Sequence, residues 1–253
     1  MNNGQLLIGP LGPFPLHEDT HVLHRDDGRW LVSARATRSG LRLSDANPST
    51  KLHIRAAPES RLAAALDVAT GRAELFADGL LVAGIARGEW LALAPGSRAA
   101  LRGQLAGLAG EELVLLTDRS AGLAAFRLTG QESATVLAGL TEGHRAEDPP
   151  GDGSVVSTAL AGIRCVIVRD DLLPEDLAGE LLLPGELLGG ELGADGGAVE
   201  APFDPALALV NSFLVLCDRS VARELHAQLL QAGAFEAIEP EGFARYRSYH
   251  ADA

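Results

Sequence analysis

Lysine is almost missing from this 253-residue chain: Lys51 is the single lysine among 21 Lys and Arg, set against 34 Asp and Glu for a net charge of -13. Nucleic-acid binding draws its affinity from clustered cations that release counterions from phosphates, so this balance excludes nucleic acid as the expected partner. Aromatic residues are also scarce, at 4% against 47% hydrophobic, so any core must be built of Leu, Ala and Val. The length suffices for one large core or two modest ones. The two cysteines, Cys165 and Cys217, sit in apolar strand-like runs with neither metal-ligand spacing nor a disulfide framework, and read as small buried hydrophobes. No apolar run approaches the roughly 20 residues of a membrane-spanning helix. The Asn2-Asn3-Gly4 start carries neither the basic region nor the apolar core of a secretory signal. The expectation is a cytoplasmic globular protein with no membrane partner.

What is present is a repetition. Glu89-Trp-Leu-Ala-Leu-Ala-Pro-Gly-Ser97 opens an apolar helix, and Ser212-Phe-Leu-Val-Leu-Cys-Asp-Arg-Ser220 opens another, with Leu91 matching Leu214, Leu93 matching Leu216 and Ser97 matching Ser220. A second pair agrees: Ile54-Arg55 and Phe126-Arg127 each precede an Ala/Leu helix. The first fifty residues differ. Pro10, Pro13 and Pro15 break helices, and Val22 to Arg35 reads as a hairpin around Asp26-Asp27-Gly28. From residue 51 the predicted order is strand, helix, strand pair, strand and helix, and residues 111–238 repeat it. In the first of these helices Leu62, Ala65, Leu66 and Ala69 have the spacing of one buried face. Strand pairs between helices predict an α+β fold of two related split βαβ, ferredoxin-like subdomains, 51–110 and 111–238, after a β-rich extension over 1–50. Residues 170–205, acidic and without Lys or Arg, interrupt the second copy and read as a solvated insertion. The tail, 239–253, carries both tyrosines, Tyr246 and Tyr249, with Phe243, Arg245 and Arg247, residue types suited to a protein interface.

Chemistry-bearing motifs are few. His17-Glu18-Asp19-Thr20-His21 satisfies a zinc-binding text whose chemistry needs both imidazoles on one helical face, yet prolines precede it and a β-like segment follows, so no metal site is expected. Nucleophile elbows and phosphate-binding loops are absent from the sequence.

The most specific local text is Thr117-Asp118-Arg119-Ser120, followed by Phe126-Arg127-Leu-Thr-Gly130-Gln-Glu-Ser133 and a helix ending near Leu140. Asp118 and Ser120 are short acceptors able to hold a turn, and Gly130 permits tight entry into the helix. This phrase resembles the glycine-cleavage T-protein (aminomethyltransferase, folate-binding) family. Within that family the order of Arg87-Gly88-Glu89-Trp90-Leu91, the Asp118-to-Gly130 phrase, Pro149-Pro150-Gly151 and Phe213-to-Ala222 is similar to the small gamma subunits of heterotetrameric sarcosine oxidases. The resemblance implies a T-protein-like fold serving as an accessory chain beside larger flavoprotein subunits of an amine oxidase complex, with no cofactor bound by this chain alone.

The family's one-carbon transferases place an Asp in the strand after the helix; here that strand reads Gly162-Ile163-Arg164-Cys165-Val166, so Arg164 or Cys165 takes the position. A missing positioned acid costs about 10²- to 10⁴-fold in rate. Asp170 and Asp171 follow shortly after. The family's C-terminal barrel has no counterpart in the sequence. Asp118, Arg164 and Asp170 are the candidate catalytic residues. The alternative that the resemblance implies is a freestanding tetrahydrofolate-dependent one-carbon transferase, in which Arg119, Arg127 and Arg164 face the folate's glutamate tail.

Overall fold

The computed structural model describes residues 6–8, 20–25, 28–33, 37, 39–95, 98–141, 151–173 and 209–243. Outside the described residues lie His17 to Asp19, Pro149-Pro150, the acidic insertion beyond Leu173, and the tail from residue 244 with Tyr246 and Tyr249.

The N-terminal extension forms a three-stranded sheet of β1 (Leu6–Ile8), β2 (Thr20–Arg25) and β3 (Gly28–Ser33). Arg25 faces Gly28 across the tight β2–β3 hairpin that the Asp-Asp-Gly text predicts. His21 lies in β2, an extended strand, so the helical turn that the zinc text requires does not form there.

Two larger sheets follow. The five-stranded one contains β5 (Thr50–Arg55), β6 (Ala73–Phe76), β7 (Leu80–Ala86), β8 (Glu89–Ala94) and β9 (Leu115–Asp118), in the order β6-β7-β8-β5-β9 with every neighbour antiparallel. Helices α1 (Arg61–Leu66) and α2 (Arg98–Ala109) connect its strands. The six-stranded sheet contains β4 (Arg42–Asp45), β10 (Leu123–Thr129), β11 (Val155–Leu160), β12 (Ile163–Arg169), β13 (Ser212–Asp218) and β14 (Glu239–Phe243), in the order β11-β12-β13-β10-β4-β14, with α3 (Ser133–Leu140) and α4 (Ala222–Ala232). Each sheet with its helices is a split βαβ unit, with one additional edge strand in the five-stranded sheet and two, β11 and β14, in the six-stranded one, which is the predicted α+β class.

Burial divides into three apolar layers. Leu62, Leu66, Leu101 and Leu105 pack α1 and α2 on the five-stranded sheet, and Val136, Leu137, Leu225 and Leu229 pack α3 and α4 on the six-stranded one. Between the sheets, Leu81, Ala83, Leu91 and Leu93 meet Ala125, Val168, Leu214 and Leu216. The result is a helix–sheet–sheet–helix stack. One expectation needs correction: Leu62 and Leu66 are buried, but Ala65 and Ala69 are exposed. The Ser60 hydroxyl accepts from the Ala63 amide at 3.1 Å to start α1, and Asp67 ends it in the left-handed region at φ 46°, so Ala69 lies past the helix. Gly130 has φ 137°, and an added Cβ would stand 2.1 Å from the Gly40 carbonyl oxygen, so the entry to α3 requires glycine twice over.

The two units exchange strands. β4 precedes the five-stranded sheet in sequence but pairs with β10 in the six-stranded one, whereas β9 precedes β10 but pairs with β5. Each crossover is a turn nucleated by an aspartate. Asp45 Oδ1 accepts from the Asn47 amide at 2.8 Å, and Asp118 Oδ1 accepts from the Ser120 amide at 2.9 Å. Each turn then binds the other unit. Asn47 Oδ1 accepts from the Ala125 amide and Ala46 donates its amide to the Ala125 carbonyl, both at 3.0 Å. Correspondingly, the Ser120 hydroxyl accepts from the Lys51 amide at 3.0 Å and Arg119 donates its amide to the Lys51 carbonyl at 2.8 Å. Lys51 is wholly buried here, its ammonium donating to the Asn47 and Ser49 carbonyls at 2.9 and 3.1 Å. Burial raises the Asp45 carboxyl above its ordinary value, against the lowering effect of Asn47 and the Lys51 ammonium.

Replacing Asn47 with Ala leaves the buried Ala125 amide without its acceptor and is expected to cost about 1–3 kcal/mol of unfolding free energy. Ser120→Ala, at a more exposed turn, is expected to cost less; urea denaturation of both variants measures the difference. A pH effect follows from His226, whose ring is tilted against Phe126 with centroids 5.6 Å apart and whose pKa burial lowers below 6.5. The unfolded chain takes up that proton first, so this contribution to stability is full above the unfolded pKa and is lost as pH falls through the folded value. His226→Phe is expected to flatten the fall in thermal midpoint between about pH 7 and about pH 5.

Candidate functional site

The polar centre of the six-stranded sheet stands where the acidic insertion leaves and rejoins it. Asp170 and Asp171 follow β12, and Asn211 immediately precedes Ser212 at the start of β13; beyond them Leu172 and Val210 exchange backbone hydrogen bonds at 3.0 and 2.8 Å, pinning the insertion's two ends together. Arg127 reaches this point from the middle of β10. Its Nη2 meets Asp170 Oδ2 at 2.6 Å, and its Nη1 donates to the Asp170 carbonyl at 3.1 Å and the Ser212 hydroxyl at 2.7 Å. Arg127 and Asp170 are 2% and 3% exposed. The Arg127 Nε is buried without a hydrogen-bond acceptor, the single such side-chain atom among the described residues.

A second ion pair lies beside the first. Arg169 Nε donates to both Asp171 carboxylate oxygens at 3.0 Å, and its Nη2 reaches Asn211 Oδ1 at 2.9 Å. Asp171 also accepts the Ser212 amide at 3.0 Å and donates its own amide to Asp152. Each carboxylate of the Asp170-Asp171 pair is therefore neutralised by its own guanidinium. A charge removed from water needs such partners, because its desolvation costs several kcal/mol.

The repeat places an equivalent cluster on the other sheet. Arg127 faces Leu214 across its strand pair and His53 faces Leu91, the two leucines matched in sequence. His53 Nε2 lies 3.0 Å from Glu89 Oε2, and Arg55 Nε lies 3.3 Å from Glu89 Oε1. Glu89 occupies the place of Ser212. This cluster is half-open to solvent where its counterpart is closed.

Of the residues nominated from sequence, the fold brings Arg127 and Asp170 together. Asp118 belongs to the crossover turn and pairs with Arg98. Burial would raise its pKa, but the Ser120 amide, Arg98 and the Ser120 hydroxyl outweigh that and hold it below the ordinary carboxylate range. Arg119 is exposed at the same turn. Arg164 is exposed near the start of β12, six residues before Asp170, roughly 20 Å at strand rise. Sequence reading missed Arg169, Asn211, Ser212 and Asp152; the available signal was the insertion itself, whose flanking residues must be adjacent for the strands to pair. Among the described residues no cluster of three or more His, Cys, Asp or Glu is placed to hold a metal ion, and no helix is long and apolar enough to cross a membrane.

No protein-family model and no curated protein matches the sequence. Solved structures do match its architecture. A chain of heterotetrameric sarcosine oxidase from Corynebacterium sp. U-96, in complex with pyrrole 2-carboxylate, superposes with a TM-score of 0.55 at 21% identity, over 81% of this chain and 89% of that one. Glycine cleavage system aminomethyltransferase T from Bartonella henselae superposes with a TM-score of 0.61 at 15% identity, over 94% of this chain and 60% of that one. The chain has the T-protein fold. It spans less than two thirds of the aminomethyltransferase while covering most of the sarcosine oxidase chain.

Asp170→Ala leaves Arg127 buried and unpaired, and is expected to destabilise the chain by about 3–5 kcal/mol. Changing both residues, in Arg127→Met with Asp170→Ala, is expected to cost less than the two single changes added together. A double-mutant cycle by urea unfolding reads that coupling directly.

Proposed function

We propose that this chain is an accessory, gamma-like subunit of a heteromeric flavin-dependent oxidase or dehydrogenase acting on sarcosine or related N-methyl amino acids. The observation that carries this reading is the closed state of the buried acid. A carboxylate that orients a substrate amine needs a free oxygen facing a cavity, and it works best with a pKa tuned toward the working pH. Asp170 is instead buried, with one oxygen held by the Arg127 guanidinium. The position suggested by family resemblance for an acid is occupied by Arg164, which is exposed, and Cys165, which is buried in the helix-side core. The residues present therefore do not fit a folate amine held by an acid at this point. Length supports the same reading, since the chain covers 89% of the sarcosine oxidase chain it resembles.

The freestanding tetrahydrofolate-dependent transferase is favoured by a different observation, the open cluster of His53, Arg55 and Glu89, in which two basic side chains stand near solvent. Isothermal titration of tetrahydrofolate into the purified chain separates the two readings. No binding up to about 1 mM ligand is expected, together with co-purification of the chain with flavoprotein subunits when they are co-expressed. Tight folate binding with methylene-group turnover overturns the accessory role.

A further inference from the structure

The two cysteines, 52 positions apart in sequence by subtraction of 165 from 217, face each other directly across β12 and β13. Asp170 donates its amide to the Ser212 carbonyl at 2.9 Å, making those two a hydrogen-bonded pair of the antiparallel ladder. Counting back along the register, Val168 with Leu214 and Val166 with Leu216 share that character, and Cys165 with Cys217 falls in a non-hydrogen-bonded position. Cα atoms in such positions stand about 4.5 Å apart with their side chains at closest approach, within the roughly 4.4–6.8 Å that disulfides span. Both side chains point into the layer beneath α3 and α4. Both thiols are free in the structure.

We propose that Cys165 and Cys217 form a reversible dithiol–disulfide site, oxidised by a small peroxide. The proposal does not depend on the function proposed above. The bond would tie β12 to β13 and close the loop that holds the whole acidic insertion, adding a covalent link beneath the Leu172–Val210 bridge. Burial pushes the Cys165 thiol up to about 11; burial, the neighbouring Cys165 and Asp218 push the Cys217 thiol up to about 12. Both are protonated at neutral pH, so oxidation, which runs through the thiolate, is slow there and quickens as pH rises. Both side chains are buried, so a small oxidant reaches them through local opening at the strand ends. Cys217 precedes exposed Asp218, and Cys165 follows the exposed Ala161-Gly162 turn by three residues.

The chemistry balances with hydrogen peroxide as oxidant. One thiol loses its proton and attacks a peroxide oxygen, the O–O bond breaks, and the leaving hydroxide takes up the proton as water. The resulting sulfenic acid is attacked by the second thiol, its S–O bond breaks, and a second water leaves as the S–S bond forms. Two thiols are oxidised and one peroxide is reduced to two waters.

The test uses the full-length chain, exposed to hydrogen peroxide in the folded state and then followed by intact mass, thiol titration in denaturant and peptide mapping. The expected result is the loss of two hydrogen masses, a fall in titratable thiols from two per chain to none, a Cys165–Cys217 cross-linked peptide, and full reversal by dithiothreitol. The oxidised chain should also melt at a higher temperature than the reduced one, a difference that disappears in Cys217→Ser. Persistence of both thiols, gain of oxygen without a cross-link, or disulfides formed only between chains would each overturn the proposal. Because the wild-type chain is the sample, a folding defect in the serine variant leaves the mass and mapping readouts decisive.

Discussion

The two crossover turns, Asp45 to Asn47 and Asp118 to Ser120, are the constraint on which the rest of the structure depends. Each carries the chain out of one sheet and into the other, so neither sheet is complete without a strand that belongs in sequence to its neighbour. The polar atoms of each turn are spent on the opposite unit: Asn47 on Ala125, and Ser120 on Lys51. Buried backbone amides need such acceptors, and here the acceptors come from the partner half. The apolar layer between the sheets, built from Leu91 and Leu93 on one side and Leu214 and Leu216 on the other, can close only when both crossovers are made. Such non-local pairing makes the halves a single cooperative unit and sets a high entropic cost on reaching it.

On this near-symmetric frame the two halves have diverged. The turn between β7 and β8 is short, whereas the equivalent connection from β12 to β13 holds the long acidic insertion and the two Arg–Asp pairs at its root. Thus equivalent positions carry a closed ion pair in one half and the open His53, Arg55 and Glu89 cluster in the other. The sheet edges differ as well. β14 pairs parallel to β4 and covers that edge, while β9 remains the outermost strand of its sheet, with Leu115 at its start and Leu113 just before it exposed. The buried Arg–Asp pairs thus belong to the half with the insertion, and the open cluster to the half without it.

Much of this was legible in the chain. Helix and strand positions followed from periodicity because each element buries one face, and Gly130 and the Asp-x-Ser turn followed from backbone chemistry that few other residues provide. The matched leucines at 91 and 214 announced the repeat and turned out to stand opposite the two polar clusters. Strand exchange was not legible, because a strand's hydrophobic pattern does not record which sheet it joins. The meeting of Arg127 with Asp170 was hidden for a related reason: 43 positions separate them, by subtraction of 127 from 170, and only the β10–β13–β12 order brings them together. The cysteines were read correctly as buried, but their facing positions required the register.

The burial of Lys51 has a practical consequence. As the sequence's sole lysine and with no exposed surface, it leaves the folded chain without a solvent-facing side-chain amine. Acylating reagents, aldehyde cross-linkers and lysine-directed conjugating enzymes then have no side-chain amine to attack until the crossover region opens. Acylation at Lys51 would therefore report opening at the junction of the two halves, a built-in covalent reporter supplied by the same residue that the sequence made rarest.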